Sequence, residues 1–378
     1  MAKSNSANSY DEWSRLKEVV VGSPFAYEAH DVDLSFKLFH HDNAFHNVKA
    51  SAHYAPANAD ATQAPEHVNL RKRYIKELAE DVEELVQALR KLGIKVMRPT
   101  ELKKVPSFQT PYWSAHGIPA LNVRDQAIIL GNEIVETAPM VRSRYFENDL
   151  LKPIFYKYFK AGSKWSVMPR PIMTDASFDM SYVTNHAEDV SPNVKSEYDV
   201  GYEMMIDAAQ CLRFGKDIMV NVSTKNHELG LDWLKQQVGD RFNFHKVYRM
   251  ADSHIDSIVL PLRPGLLLLR NKSFRDKLPK PLQKWDVIYP PEPSEGIFPS
   301  YEGDDLVLTS KYIDLNVLSI DENTVIVNSL FPELIATLEK KGFTVVPVQH
   351  RHRRLFGGGF HCFTLDTVRE GSTLQSYF

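Results

Sequence analysis

The chain has 378 residues, 43% of them hydrophobic and 25% charged, with 45 basic residues against 48 acidic ones and a formal net charge of −3. That balance gives no electrostatic basis for nucleic acid or an anionic membrane as partner, and the length suffices for a large buried core. No apolar run approaches a membrane span, the N-terminus has no signal-type apolar stretch, and two cysteines, Cys211 and Cys362, cannot build a disulfide framework. These features predict a cytoplasmic protein in which residues 1–9 form a frayed N-terminus.

In chain order, the β-branched run after Leu16, stopped by Gly22, reads as a buried strand. Residues 24–65 read as an irregular surface loop. His30, His40, His41, His46 and His53 fall near or within it, at spacings that match no metal template. The clearest helix covers residues 66–92, where Ile75, Leu78, Val82, Leu85, Leu89 and Leu92 step by three and four along one face. Gly93 ends it before a strand at 94–97. Residues 126–137 read as a hairpin turning at Gly131-Asn132.

A strand at 217–222, a helix near 231–238 and a strand at 242–248 follow. Next come a hairpin over 257–269 with a strand near 287–289, then a hairpin over 316–328, a helix at 332–341 stopped by Gly342, and a strand at 343–348. Length alone suggests two domains. No linker or composition break divides the chain, however, and about five hairpin, helix and strand units favour one radial α/β domain over residues 1–378.

The chemistry is expected near the C-terminus, in Phe356-Gly357-Gly358-Gly359-Phe360-His361-Cys362. Three glycines strip every Cβ from the approach to Cys362, the candidate nucleophile, so that backbone and ligand can come close at Gly359. By themselves these residues fit equally well a glycine turn beside a buried structural cysteine. Cys211, in Ala208-Ala209-Gln210-Cys211, reads as packing.

The run Gly357-Gly358-Gly359-Phe360-His361-Cys362, with Gly371-Ser372-Thr373-Leu374-Gln375-Ser376-Tyr377, resembles the C-terminal signature of arginine:glycine amidinotransferase and its bacterial relatives in natural-product biosynthesis. Other motifs of that family lie in order from residue 9 onward: Ser9-Tyr10-Asp11-Glu12-Trp13, Gly131-Asn132-Glu133-Ile134, Arg142-Ser143-Arg144, Asp207-Ala208-Ala209, His254-Ile255-Asp256 and Thr309-Ser310-Lys311. The resemblance implies the pentein fold, five ββαβ-type modules about a pseudo-fivefold axis. It implies transfer of the amidino group of L-arginine to a primary amine through an amidino-cysteine, with release of L-ornithine.

In that scheme Cys362 attacks the guanidinium carbon and His254 is first acid, then base. Asp207 and Asp125 clamp the guanidinium, Ser310 touches substrate near the cysteine, and Arg270 is the nearest candidate for gripping the donor carboxylate. Taken alone, Asp207 reads as a helix cap and His254 as a half-buried strand histidine. Asp256, two residues past His254, would face the same way and orient the imidazole if that piece is extended.

The resemblance implies no cofactor and no metal, L-arginine and a primary amine as small-molecule partners, and admits a homodimer. Glycine-using members carry Asn-x-Met before the His-Ile-Asp triplet, where this chain has Ala251-Asp252-Ser253. The smaller Ala251 and Ser253 point to an acceptor larger than glycine, in a toxin or alkaloid pathway. The alternatives are a glycine amidinotransferase, a guanidino hydrolase of arginine deiminase or dimethylarginine hydrolase type, and a noncatalytic binding protein of the same fold.

Overall fold

The computed structural model describes residues 6–39, 67–179, 202–302 and 305–378. Five three-stranded sheets recur along the chain with one topology: two antiparallel strands, then a crossover, then a third strand parallel to the second. The second sheet is Ala127–Leu130, Glu133–Glu136 and Lys164–Val167. The third is Cys211–Phe214, Asp217–Val222 and Asn243–Tyr248; the fourth is Val259–Arg263, Leu266–Leu269 and Asp286–Ile288. The fifth is Leu318–Ser319, Thr324–Asn328 and Thr344–Val348. The first sheet joins both ends of the chain, because Thr364–Glu370 pairs antiparallel with Arg15–Val21, which pairs parallel with Lys95–Met97.

The helices in chain order are α1 (Leu34–Phe39), α2 (Lys72–Lys91), α3 (Lys152–Lys160), α4 (Lys225–Val238) and α5 (Pro332–Lys340). The last four are the crossovers of the first, second, third and fifth sheets. In the fourth sheet, 3₁₀ turns at Lys272–Lys277 and Leu282–Lys284 replace a helix. Helix α2 follows its periodicity: Tyr74, Leu78, Val82, Leu85 and Leu89 are buried, and Gly93 leaves the helix at φ +77°. Burying Leu85 contributes roughly 1.5–3 kcal/mol, and Leu85→Ala would cost about 2–5 kcal/mol by also opening a cavity.

Three sequence expectations are corrected. Helix α2 starts at Lys72 and not at residue 66, because His67–Asn69 is a strand paired with Ala29–Asp31 and Arg71 is extended. That pairing, helix α1 and the burial of His30 give structure to part of the stretch read as an irregular surface loop. His40, His41, His46 and His53 lie outside the described residues.

The start of the chain is also tied down within the nine residues expected to fray. The Ala7 N–H donates to Ser163 Oγ at 2.8 Å. Asn8 and Ser9 form backbone hydrogen bonds with Thr367 and Gly131. The Ser9–Trp13 motif continues this anchoring. Gly131 sits at φ +65°, where a Cβ would lie 2.5 Å from the Tyr10 ring. The Glu12 carboxylate receives Arg213 Nε at 2.8 Å and Nη2 at 2.7 Å. Asp366 receives Arg213 and Arg124 at 2.7 Å each. All four of these charges are buried, so removing one partner would cost about 3–5 kcal/mol. Among the described residues no helix is long and apolar enough to cross a membrane.

Candidate active site

Each sheet is entered through a short irregular stretch before its first strand, and these five stretches meet. The Ala208 N–H donates to the Asp125 carbonyl at 2.6 Å, and the Ile255 N–H to the Ala209 carbonyl at 3.2 Å. Asn316 Nδ2 donates to the Asp256 carbonyl at 3.4 Å. The His361 N–H donates to the Asn316 carbonyl at 3.2 Å, and the Arg124 N–H to the Cys362 carbonyl at 3.3 Å, which closes a ring. Cys362, His254, Asp207, Asp125 and Asp256 all stand on this ring.

Cys362 is buried, and its thiol donates to Asp256 Oδ2 at 3.4 Å. Its N–H donates to Asn316 Oδ1 at 2.8 Å, and the Gly359 N–H reaches the same oxygen at 3.1 Å. The three glycines serve different ends. Gly357 adopts φ +69°, whereas a Cβ on Gly359 would lie 2.7 Å from Asn316 Cβ, and one on Gly358 would lie 2.2 Å from Asn122 Oδ1. The closest approach that the glycines permit is thus that of Asn316 and Asn122, which fix the turn. Burial, then the charges of Asp256 and Asp125, hold the thiol well above its ordinary value.

His254 Nε2 lies 2.9 Å from Asp207 Oδ2, and its Nδ1 lies 3.9 Å from Asp125 Oδ1. Burial disfavours its charge, but Asp125 and the hydrogen bond to Asp207 outweigh burial and raise the imidazole to about 9. Arg144 donates to Asp125 Oδ2 at 2.7 Å and is held by Glu147 at 2.6 and 2.9 Å. Burial pushes the Glu147 carboxyl up to about 7 against the pull of Arg144. Asp125 Oδ1 is buried with no hydrogen-bond partner among the described residues. Burial also raises the Asp125 carboxyl, against the pull of His254 and Arg144.

The structure places two aspartates otherwise than the sequence suggests. Asp207, not Asp256, is hydrogen-bonded to the imidazole, and Asp256 stands at the sulfur. The reason is local: residues 251–258 form bends and a turn, so side-chain alternation does not put Asp256 beside His254. Asp256 Oδ2 also lies 2.7 Å from His361 Nδ1. Burial opposes the Asp256 charge, but the hydrogen bond to His361 leads the interactions that lower its carboxyl below the usual value. Asp207 additionally accepts from Gln126 Nε2 at 2.8 Å and precedes a 3₁₀ turn, Ala208–Gln210.

Two adjoining cavities of about 440 and 480 Å³ open onto these groups. The first is lined by Cys362, His254, Asp256, Ser253 and Thr309, the second by Asp125, Arg144, His254 and Asn122; Phe39 borders both. The Phe39 ring meets the His254 imidazole edge-on at 5.0 Å.

The remaining expected residues are less central. The Ser310 hydroxyl accepts the Tyr312 N–H at 3.4 Å as the cap of a 3₁₀ turn, and its neighbour Thr309 is the one that lines the cavity. The Arg270 guanidinium stacks on the Tyr312 ring at 4.1 Å and lines neither cavity. The Ala251 carbonyl accepts from Asn221 and Ser223, which fixes the bend that presents Ser253. Cys211 is buried in its strand, where burial lifts the thiol to about 12. Sequence reasoning missed Asn316, Glu147 and Phe39. No motif marked them, although Arg142-Ser143-Arg144 did mark the cation.

Asp125, Asp207 and His254 also bring donor atoms within 4.8 Å of one another, a spacing that can hold a metal ion. Here Arg144 Nη1 already stands 2.7 Å from Asp125 and 3.8 Å from Asp207, and the imidazole is bonded to Asp207. A metal would have to break that pair.

The site thus brings together a buried thiol, an imidazole raised by its neighbouring carboxylates and a further carboxylate at the sulfur. The carboxylates of Asp125, Asp207 and Asp256 gather about His254 and Arg144, and Glu147 also holds Arg144. The chain is 32% identical over 372 residues, 98% of its length and 96% of the relative's, to the L-arginine:L-lysine amidinotransferase of Pseudomonas savastanoi pv. phaseolicola. It is 31% identical to the mitochondrial glycine amidinotransferase of Xenopus tropicalis, over 98% of this chain and 84% of that one. No family model matches the chain.

Among solved structures, the inosamine-phosphate amidinotransferase of Streptomyces griseus superimposes with a TM-score of 0.81 at 32% identity, covering 98% of this chain and 99% of that one. The amidinotransferase of the saxitoxin biosynthetic pathway of Microseira wollei gives 0.79 at 31% identity, with the same coverage. A dimethylarginine dimethylaminohydrolase shares the fold alone, at a TM-score of 0.56 and 12% identity over 93% of this chain and 99% of its own. The chain belongs to the amidinotransferases and has the pentein fold.

Proposed function

We propose that the protein moves the amidino group of L-arginine to a primary amine through a covalent amidino-cysteine on Cys362, releasing L-ornithine. The observation that carries this reading is the placement of the Cys362 thiol beside Asp256, with the unpartnered oxygen of Asp125 and the His254–Asp207 pair at the same cavities. A guanidinium brings a cation to these carboxylates. Its N–H groups meet acceptors at Asp125 and Asp256, and its charge offsets the two carboxylates that hold the thiol protonated.

The thiol then loses its proton to solvent, and the thiolate attacks the guanidinium carbon. His254, protonated at neutral pH, gives its proton to the departing nitrogen as the carbon–nitrogen bond breaks and ornithine leaves. An amine next attacks the amidino carbon and passes a proton to His254. The carbon–sulfur bond breaks and the thiolate returns. Asp207 acts through His254, keeping the imidazole aimed and charged.

The acceptor is read as an amine larger than glycine, a precursor of a toxin or another secondary metabolite. This reading is supported by the small Ser253 at the cavity edge and by the likeness to the saxitoxin-pathway enzyme. The hydrogen-bonded ring supports five sheets arranged about a pseudo-fivefold axis in one domain over residues 1–378. A reactive free thiol suits the cytoplasm. The test is incubation with labelled arginine and a panel of primary amines, followed by product identification. Label in a new guanidino compound supports transfer, whereas label in citrulline with no guanidino product would make the protein a hydrolase.

A further inference from the structure

A third cavity, of about 430 Å³, shares Phe39, Asp252 and Ser253 with the cavity at Cys362, so the two adjoin at Ser253. Its apolar wall is Leu38, Phe39, Met140, Phe178 and Met205. At its edges stand two carboxylates, Asp179 and Asp252, and one imidazole, His227. None of these belongs to the Cys362, His254, Asp125 set.

His227 fixes the polarity of the ligand's far end. It is 5% exposed, its Nδ1 accepts the Ser223 N–H at 3.1 Å, and burial depresses it to about 4. The ring is therefore neutral with its proton on Nε2, and that N–H has no hydrogen-bond partner among the described residues. His227 lines the cavity, and an acceptor atom on whatever fills it would meet that N–H in place of solvent. Asp179 and Asp252 oppose an anion there. A hydroxyl or carbonyl oxygen satisfies His227 without repulsion, and a carboxylate does not.

We propose that this cavity receives the body of the acceptor: a primary amine on an uncharged, mostly apolar chain of several carbons, bearing a hydroxyl or carbonyl oxygen toward its far end. The inference rests on the amidinotransfer reading above and adds the acceptor class to it. The amine nitrogen lies at the amidino-cysteine near His254, the chain passes Ser253 and Phe39, and methionine and phenylalanine side chains cover the methylenes. Each methylene buried there raises kcat/KM about fourfold.

The test measures kcat/KM for four acceptors with arginine as donor: glycine, ethanolamine, the five-carbon ω-amino alcohol and the five-carbon ω-amino acid. The same samples are assayed by intact mass for the amidino adduct on Cys362. The five-carbon amino alcohol should exceed both ethanolamine and the five-carbon amino acid by tenfold or more. In Met205→Trp, which fills the cavity, its advantage over ethanolamine should shrink to within about threefold. That ratio is unaffected by a general loss of active protein, and the wild-type comparison stands if the variant does not fold. Equal use of the two amino alcohols by wild-type protein, or preference for the amino acid, would overturn the proposal while adduct formation kept the transferase reading. Absence of the adduct itself would overturn both.

Discussion

The two ends of the site are built from different parts of the chain. Cys362, His254 and their aspartates stand on the stretches that enter the five sheets, laced together by backbone and asparagine hydrogen bonds. The third cavity is walled by α1, by Met140 in the crossover of the second sheet, and by Phe178 and Met205 between the second and third sheets. One end is polar and, on the proposed reading, carries the chemistry. The other has an apolar wall with polar groups at its edges, so on that reading the reaction and the acceptor choice rest largely on different side chains.

The strongest way to break that division is Cys362→Ala. Arginine turnover should fall to background while the melting temperature changes by only a few degrees, since little more than one sulfur is lost beside a turn fixed by Asn316. Turnover surviving in the folded variant would remove the ring from the chemistry. Next in size is Asp207→Asn, expected to lower kcat/KM for arginine by about 10²-fold or more. NMR titration of the unliganded variant should show His254 falling from about 9 toward or below its ordinary 6.5. If Asp256→Asn moved that titration more than Asp207→Asn did, the roles of the two aspartates would be wrong.

The same imidazole carries a stability signature. Its folded value lies above its unfolded one, so protonated His254 adds stability that is complete below about pH 6.5 and is lost as pH rises through about 9. Urea unfolding of wild-type protein against His254→Gln across that window should show the difference shrinking with pH.

Asp125→Asn and Asp256→Asn should each cost about tenfold or more in kcat/KM for arginine, because a charge-assisted hydrogen bond is worth roughly 1.5–3 kcal/mol. Unchanged values in both would detach the guanidinium from these carboxylates. The smallest expected effect sharpens the acceptor end. Ala251→Asn with Ser253→Met narrows the passage, and the ratio of bulky-amine to glycine kcat/KM should fall several-fold. A ratio that rises instead would place the acceptor elsewhere.

What was legible in the sequence follows the same division. Cys362, His254, Asp207, Asp125 and Asp256 were visible as motif residues, and the hairpins turning at Gly131 and near Gly265 were visible from local chemistry. The pairing of Arg15–Val21 with Thr364–Glu370 was not, because no local pattern reports a partner at the other end of the chain. The placement of Asp256 away from His254 was not legible because the alternation rule presumes a strand where the chain bends. Asn316 bonds two N–H groups more than forty residues ahead of it, and Phe39 reaches His254 from helix α1; such contacts exist only after folding.

The central claim is that the ring holds Cys362 ready to take an amidino group from arginine before any acceptor binds. Its most direct test is to mix the protein with L-arginine alone, quench, and follow both free ornithine and the intact and peptide masses. The account predicts a burst of ornithine of about one equivalent, matched by one amidino group mapped to Cys362, with Cys211 unmodified. Ornithine released without any adduct on Cys362, or an adduct mapped to Cys211, would contradict it.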